Sequence, residues 1–253
     1  MTITQAQIEE IIELEYNIHL FKVKSPDIAN FINPGEFLNI RISELFVPLL
    51  RRPFSVCDVE GDFFFVMFNT MGTGTKLMAL KKPGEFLDVM GPLGKGFKYK
   101  DDFDRAVIIG GGLGVAPFPF LTKKLKGIKE ISTFIGGRTK SDVITYGLEN
   151  IFISTDDGSY GFKGNVIQLL EKDFGKIQNE KLKIFACGPT PMLIGVKEFA
   201  EKNNIGCELS TECVMACGFG ICQGCPIQST KDEDKYLLVC KDGPVFNSED
   251  VVL

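Results

Sequence analysis

Arg105-Ala106-Val107-Ile108-Ile109-Gly110-Gly111-Gly112-Leu113-Gly114-Val115-Ala116-Pro117 is the point where the texture of the chain changes. The apolar run of residues 106–109 has no polar alternation, the pattern of a strand buried on both faces in a parallel sheet, and it runs directly into a glycine loop. A helix is expected next, with Phe118, Leu121 and Leu125 on one face. Further strands are expected over 131–135, 151–154 and 182–186, and helices over 165–171 and 191–202. This alternation predicts an open parallel sheet with helices on both faces, assigned to residues 101–208. Ligands of such sheets bind at the carboxyl ends of the strands. Gly110, Gly111, Gly112 and Gly114 fall there, and so does Cys187-Gly188-Pro189-Thr190-Pro191-Met192. The loop is not G-x-G-x-x-G, because Val115 occupies the last position. No acid closes the second strand, where Gly136-Gly137-Arg138 stands instead. Arg138 without further basic neighbours favours NADH over NADPH. Residues 155–161 should share the same rim, where an ordinary turn also explains them.

Upstream, residues 1–100 read as short strands. Tyr16, Ile18, Leu20 and 21–23 alternate as a half-buried strand does. Pro34-Gly35-Glu36-Phe37 and Pro83-Gly84-Glu85-Phe86 are turns that feed strands. Strands punctuated by Gly and Pro predict a small antiparallel β-barrel. Within it, Arg52-Pro53-Phe54-Ser55 resembles the flavin signature R-x-[YF]-S of the ferredoxin reductase superfamily. The chemistry is reasonable: a guanidinium fork matches a pyrophosphate, an aromatic packs on a ring system, and a hydroxyl reaches a flavin N5 edge. The strand Met67-Phe68-Asn69 then enters Gly72-Thr73-Gly74-Thr75, which is expected to start a short helix. Gly74 and Thr75 are candidates for a second phosphate grip.

Downstream, residues 209–253 carry CVMACGFGICQGCPIQSTKDEDKYLLVC, from Cys213 to Cys240. Cys217, Cys222 and Cys225 give C-x4-C-x2-C, and Cys240 follows after a gap of 14 residues. Four thiolates on a glycine-rich loop suit a [2Fe–2S] cluster, as a variant of the plant-type ferredoxin spacing. Gly218, Gly220 and Gly224 let the backbone wrap closely and turn N–H groups inward. A four-cysteine zinc site and a disulfide pair are the alternatives. Cys213 is expected not to be a ligand.

Composition narrows the choice. Eight cysteines in 253 residues, with no secretory pattern at the start, argue for reduced thiols in a cytoplasm. A net charge of −5 without a basic run argues against nucleic acid, and no apolar run approaches a membrane span. The single histidine, His19, is expected to be an ordinary strand residue, so a histidine base or a His-rich metal site is nearly excluded.

Taken together, R-P-F-S, G-T-G-T-K-L, G-G-G-L-G-V-A-P, C-G-P-T-P-M, S-T-E-C-V-M-A-C-G-F-G-I-C-Q-G-C and V-C-K-D-G-P-V-F resemble, over nearly the whole chain, the electron-transfer subunits of dihydroorotate dehydrogenase B, within the ferredoxin reductase superfamily. The resemblance implies a flavin barrel, an α/β nucleotide domain and a small iron–sulfur module. It implies that Cys217, Cys222, Cys225 and Cys240 hold iron. It also implies that Arg52, Pro53, Phe54, Ser55, Met67, Phe68, Asn69, Gly74 and Thr75 line FAD, and that Gly110, Gly111, Gly112, Gly114, Gly188 and Pro189 face NAD(H). Ser55 and Cys187 would then stand at the reacting rings. The implied partner is an FMN-binding dihydroorotate dehydrogenase catalytic subunit in a two-plus-two heterotetramer. Related reductases use the same body with ferredoxin or hydrogenase partners, and a non-enzymatic zinc-stapled NAD(H) sensor is the alternative of another class. Where the family commonly has charged residues before M-x-C-G, this chain has Cys213 and Val214.

Overall fold

The computed structural model describes residues 1–15, 17–43, 47–178 and 180–253; Tyr16, expected in the second strand, lies outside them. The first part is a closed antiparallel barrel. Its strands are β1 (Thr2–Glu15), β2 (Ile18–Lys24), β3 (Phe37–Arg41), β4 (Arg52–Glu60), β5 (Phe63–Asn69) and β6 (Phe86–Leu93), in the order β1-β2-β5-β4-β3-β6. Two short helices, α1 (Pro26–Ala29) and α2 (Thr73–Ala79), interrupt it.

The apolar run Phe63–Asn69 makes sense once both faces of β5 are followed. Successive side chains of a strand point to opposite faces. Phe64, Val66 and Phe68 fill the barrel with Phe21, Val23, Leu38 and Val56. Phe65 and Met67 point outward, with Leu20 and Cys57, into a second core shared with Val115 and Phe118 of the next domain. The barrel is therefore buried on one outer face as well as inside. His19 is a strand residue of β2, and its ring stacks on Phe68 at 5.3 Å between centroids.

The second part holds β7 (Arg105–Gly111), α3 (Phe118–Leu125), β8 (Glu130–Gly137), β9 (Ile151–Thr155), β10 (Phe162–Lys163), α4 (Val166–Phe174), β11 (Leu182–Cys187), α5 (Thr190–Lys202) and β12 (Gly206–Ser210). These strands pair in parallel in the order β10-β9-β8-β7-β11-β12. Ala106 and Ile108 pack toward α3 and the barrel, while Val107 and Ile109 pack toward α4 and α5. The expected two-faced sheet is thus present. The expected helix follows the glycine loop as α3, after Gly112–Val115 has formed a single 3-10 turn.

The last part contributes β13 (Pro226–Gln228), β14 (Tyr236–Leu238), α6 (Val239–Asp242) and β15 (Val245–Asn247). β13 and β14 form a two-stranded ribbon, and β15 returns to pair antiparallel with β12 as the seventh strand of the large sheet. The division expected after residue 208 falls inside β12. The cysteine module packs on the barrel through Phe37, Met90 and Leu93 against Met215, Leu238, Val239 and Phe246. At Gly94 (φ +76°) a Cβ would stand 2.6 Å from the carbonyl oxygen of Gly243, so only glycine allows this approach.

A buried ionic strut fixes the joint between barrel and sheet. Lys183 Nζ lies 3.1 Å from Glu208 Oε1, 2.6 Å from Asp101 Oδ2 and 2.9 Å from the Lys98 carbonyl oxygen. The Lys98 N–H donates to Glu208 Oε2 at 2.9 Å. Glu208 is almost fully buried, so removing its cation leaves an uncompensated charge. Lys183→Met should cost about 3–5 kcal/mol, while Lys183→Met with Glu208→Leu should recover most of it. Urea unfolding of both variants checks this.

Candidate functional site

Barrel, sheet and cysteine stretch meet around one cavity of about 230 Å³. The barrel supplies Pro53, Phe54, Ser55, Met67, Phe68, Asn69 and Thr75 to its wall. The sheet supplies Leu113 and Cys187, and the cysteine stretch supplies Glu212, Cys213 and Met215. Most of the candidates for a flavin site therefore line one space. Phe54 is not an open platform: it is buried, edge-on to Phe68 at 5.9 Å between centroids.

Arg52 and the start of α2 lie together. A Cβ on Gly74 would stand 3.3 Å from Arg52 Nε. Thr75 Oγ1 accepts the N–H groups of Met71 at 3.0 Å and Gly72 at 3.2 Å, which shapes the turn. The first-turn amides beyond them have no intrahelical acceptor. Arg52 donates to the carbonyls of Leu50 and Arg51 and pairs with no carboxylate among the described residues. Its neighbour has a different task, since Arg51 donates to Asp88 Oδ1 at 2.8 Å and braces β3 against β6. These donors fit a phosphate-bearing group.

The glycines of the second motif are mostly explained by packing. A Cβ on Gly111 would stand 2.7 Å from Met192 Sδ, and one on Gly114 would stand 2.4 Å from the Cys187 carbonyl oxygen. Gly110 is closed by Val115, and Gly188 by Met192 and Gly111. The two glycine motifs thus interlock, and Pro189 lies between them at 2.8 Å from the same Gly111 position. Gly112 alone, at φ +54°, faces open space. Farther along the rim, Arg138 is tied to Asp142, with Nε–Oδ2 at 3.0 Å. The Asp156 N–H donates to the Gly137 carbonyl, and Thr155 Oγ1 closes the following turn onto Tyr160.

Cys187 is fully enclosed, and burial pushes its thiol up to about 12, with Glu212 adding to the effect. It is a neutral thiol at physiological pH and not a nucleophile. Glu212 is the group that motif reading passed over, although it stands in S-T-E-C. It is exposed on the cavity wall, yet desolvation by the surrounding protein raises its carboxyl above the ordinary value.

The four cysteines form two thiol pairs. Cys225 and Cys240 Sγ lie 3.1 Å apart, both buried. Desolvation first, then Cys225, pushes Cys240 up to about 12, while the Gly220 amide opposes this. Cys217 Sγ accepts the Cys222 N–H at 3.4 Å. Against a desolvation effect that alone would raise it, the amides of Cys222, Phe219 and Ile221 and the Cys222 thiol draw Cys217 down to about 6. Gly218 and Gly220, at φ +81° and +88°, give the loop the curvature that directs these N–H groups inward. Among the described residues no three such side chains already converge at metal-binding spacing. A thiolate cradled by amides, with a second thiol pair beside it, is a donor set that suits iron–sulfur chemistry. Cys213 is a fifth thiol, raised to about 11 by burial and by its contact with Cys225.

Residues 212–252 match the iron–sulfur cluster binding domain of dihydroorotate dehydrogenase B. The chain is 36% identical, over an alignment of 253 residues, to the dihydroorotate dehydrogenase B (NAD(+)) electron transfer subunit of Bacillus velezensis, covering 95% of each chain. It is 36% identical over 223 residues to that of Caldanaerobacter subterraneus, covering 87% of each. Among solved structures, the chain is similar to one described as an NADH-dependent reduced ferredoxin-NADP oxidoreductase, studied for flavin-based electron bifurcation. The TM-score is 0.86 and the identity 27%, over 98% of this chain and 90% of that one. A ferredoxin reductase of carbazole 1,9a-dioxygenase shares the fold, with a TM-score of 0.64 at 18% identity over 81% of this chain and 66% of that one. The fold and the site define a ferredoxin reductase-like electron carrier. The chain belongs to the family of dihydroorotate dehydrogenase B electron transfer subunits.

Glu212 yields a pH test. Its raised folded-state pKa means that ionisation costs the fold nothing below the ordinary value of 4.5 and its full amount above the folded value. Glu212→Gln removes that cost. In the flavin-free protein, its Tm should exceed wild type at pH 7 and match it at pH 4.

Proposed function

We propose that the chain carries electrons between NAD(H) and a catalytic partner subunit, through FAD in the barrel-side cavity and a [2Fe–2S] cluster held by Cys217, Cys222, Cys225 and Cys240. The observation that carries this reading is the shared cavity, whose wall runs from Ser55 through Cys187 to Cys213 and Met215. When bound, the flavin exchanges hydride with a nicotinamide and single electrons with the cluster, which takes one at a time. The chain's own residues position and insulate. Arg52 and the amides near Gly74 and Thr75 would hold the pyrophosphate, and Ser55, on the cavity wall, would offer its hydroxyl to the flavin. Cys187, kept neutral, closes the nicotinamide side without competing chemistry. Gly112 admits the dinucleotide, and Asp142 occupies Arg138, which favours NADH over a 2′-phosphorylated cofactor. No side-chain base is needed, in keeping with a single histidine set in a strand.

The work divides over three modules: residues 1–100 for FAD, 101–208 for NAD(H) and 209–253 for the cluster. The outlet lies at the cysteine loop, where Cys222 is exposed and Val214, Phe219 and Ile221 present apolar surface. The partner proposed for this face is an FMN-binding dihydroorotate dehydrogenase subunit of pyrimidine biosynthesis, in a two-plus-two heterotetramer in the cytoplasm. All eight cysteines are free thiols, and among the described residues no helix is long and apolar enough to cross a membrane. The likeness to the ferredoxin-NADP oxidoreductase structure favours, as a second reading, the same body serving another redox partner. The polypeptide that co-purifies with the chain separates the two.

Anaerobically purified protein should contain flavin and iron together, and Cys222→Ser should abolish the cluster spectrum while leaving flavin absorbance and NADH oxidation with an artificial acceptor intact. Zinc in place of iron, with no flavin, would contradict this function.

A further inference from the structure

Asn39 belongs to neither the flavin motif nor the cysteine motif, yet it joins them. It sits on β3, two residues after Phe37, which lines the cavity. Its side chain is completely buried. Asn39 Nδ2 donates to the carbonyl oxygen of Cys217 at 3.3 Å, across 178 residues of sequence. A Cβ on Gly218 would stand 2.4 Å from that same Nδ2, so the amide packs directly against the turn that follows the first candidate ligand. Arg51 holds the backbone beneath it: its Nη1 donates to the Asn39 carbonyl at 3.2 Å and to the Asp88 carbonyl at 3.0 Å.

The other end of the amide is unpaired. Among the described residues, Asn39 Oδ1 is buried and has no donor. A buried acceptor without a partner is unfavourable, and it offsets the gain from the one bond that Nδ2 makes to Cys217. The amide's net contribution to stability is therefore small. What asparagine adds is a fixed dipole with its N–H end toward the Cys217 loop.

We propose that Asn39 is a positioning residue for the cysteine centre, holding Cys217 in register with the barrel and raising the centre's reduction potential. The proposal rests on the reading of the four cysteines as [2Fe–2S] ligands. Reduction adds negative charge at the centre, and a buried N–H dipole aimed at its ligand loop favours the more negative state. Hydrogen bonds and dipoles around a cluster act on its potential in this way.

The test is a redox titration of the anaerobically purified wild type, Asn39→Leu and Asn39→Asp, read by the electron paramagnetic resonance of the reduced cluster, with iron and flavin content measured alongside. At the wild-type midpoint, Asn39→Leu should lower the reduced-to-oxidised ratio by about tenfold, equivalent to 59 mV for one electron. Asn39→Asp, titrated at a pH high enough to ionise a carboxyl whose burial raises its pKa, removes the donor, adds a negative charge and should go further in the same direction. Flavin content and flavin potential should stay as in wild type. Unchanged cluster potentials in both variants would overturn the proposal. So would joint loss of iron and flavin with no cluster of altered potential, which would mark Asn39 as structural only. A wild type without iron would instead overturn the cluster reading itself.

Discussion

The pairing of β15 with β12 is the constraint on which the rest of the structure depends. The chain leaves the large sheet after Ser210 and forms the whole cysteine loop. It then returns so that Val245 lies opposite Ser210 in an antiparallel ladder. Paired strands lie about 4.8 Å apart, so both ends of the excursion are pinned side by side. Thr211 N–H adds a bond to the Pro244 carbonyl at 2.9 Å, and Lys95 N–H from the barrel donates to the Gly243 carbonyl at 2.6 Å. A loop held at its neck by both neighbouring domains cannot swing away from the cavity. The cysteine stretch is thus a wall of the shared cavity and not a tethered appendage.

The same economy appears in the glycines. Gly111, Gly114 and Gly188 are small because two motifs far apart in sequence must interlock at the carboxyl ends of β7 and β11. Gly94 is small because the barrel must meet the returning tail. Of the glycines in these two motifs, Gly112 is the one left facing open space. Glycine at these positions serves close packing, and the ligand route is what remains between the packed parts.

Much of this was legible in the sequence. The unbroken apolar run of 106–109 marked a strand covered on both faces, and the Pro-Gly turns marked the barrel. The cysteine spacing marked a loop built for thiolates. What local pattern could not reveal came from contacts between distant segments. The outward face of β5 looked like ordinary barrel sequence until Phe65 and Met67 met Phe118 across the domain joint. The 3-10 turn at Gly112–Val115 lays Val115 onto Gly110, a contact with no periodic signature. Glu212 stood in plain view within S-T-E-C, but only the fold places it on a cavity wall beside Cys213. Asn39 carries no motif at all, and its partner lies 178 residues away.

The central claim is that electrons cross from the nicotinamide side to the cysteine loop within this one chain. The most direct measurement mixes the isolated, anaerobic protein with NADH, freezes it within milliseconds and follows the flavin absorbance and the paramagnetic signal of the reduced cluster. The account predicts that flavin bleaching is followed by a cluster signal whose rate does not depend on protein concentration, as transfer inside one chain requires. A flavin that bleaches while the cluster stays oxidised, or a cluster signal that appears only in proportion to protein concentration, would contradict it.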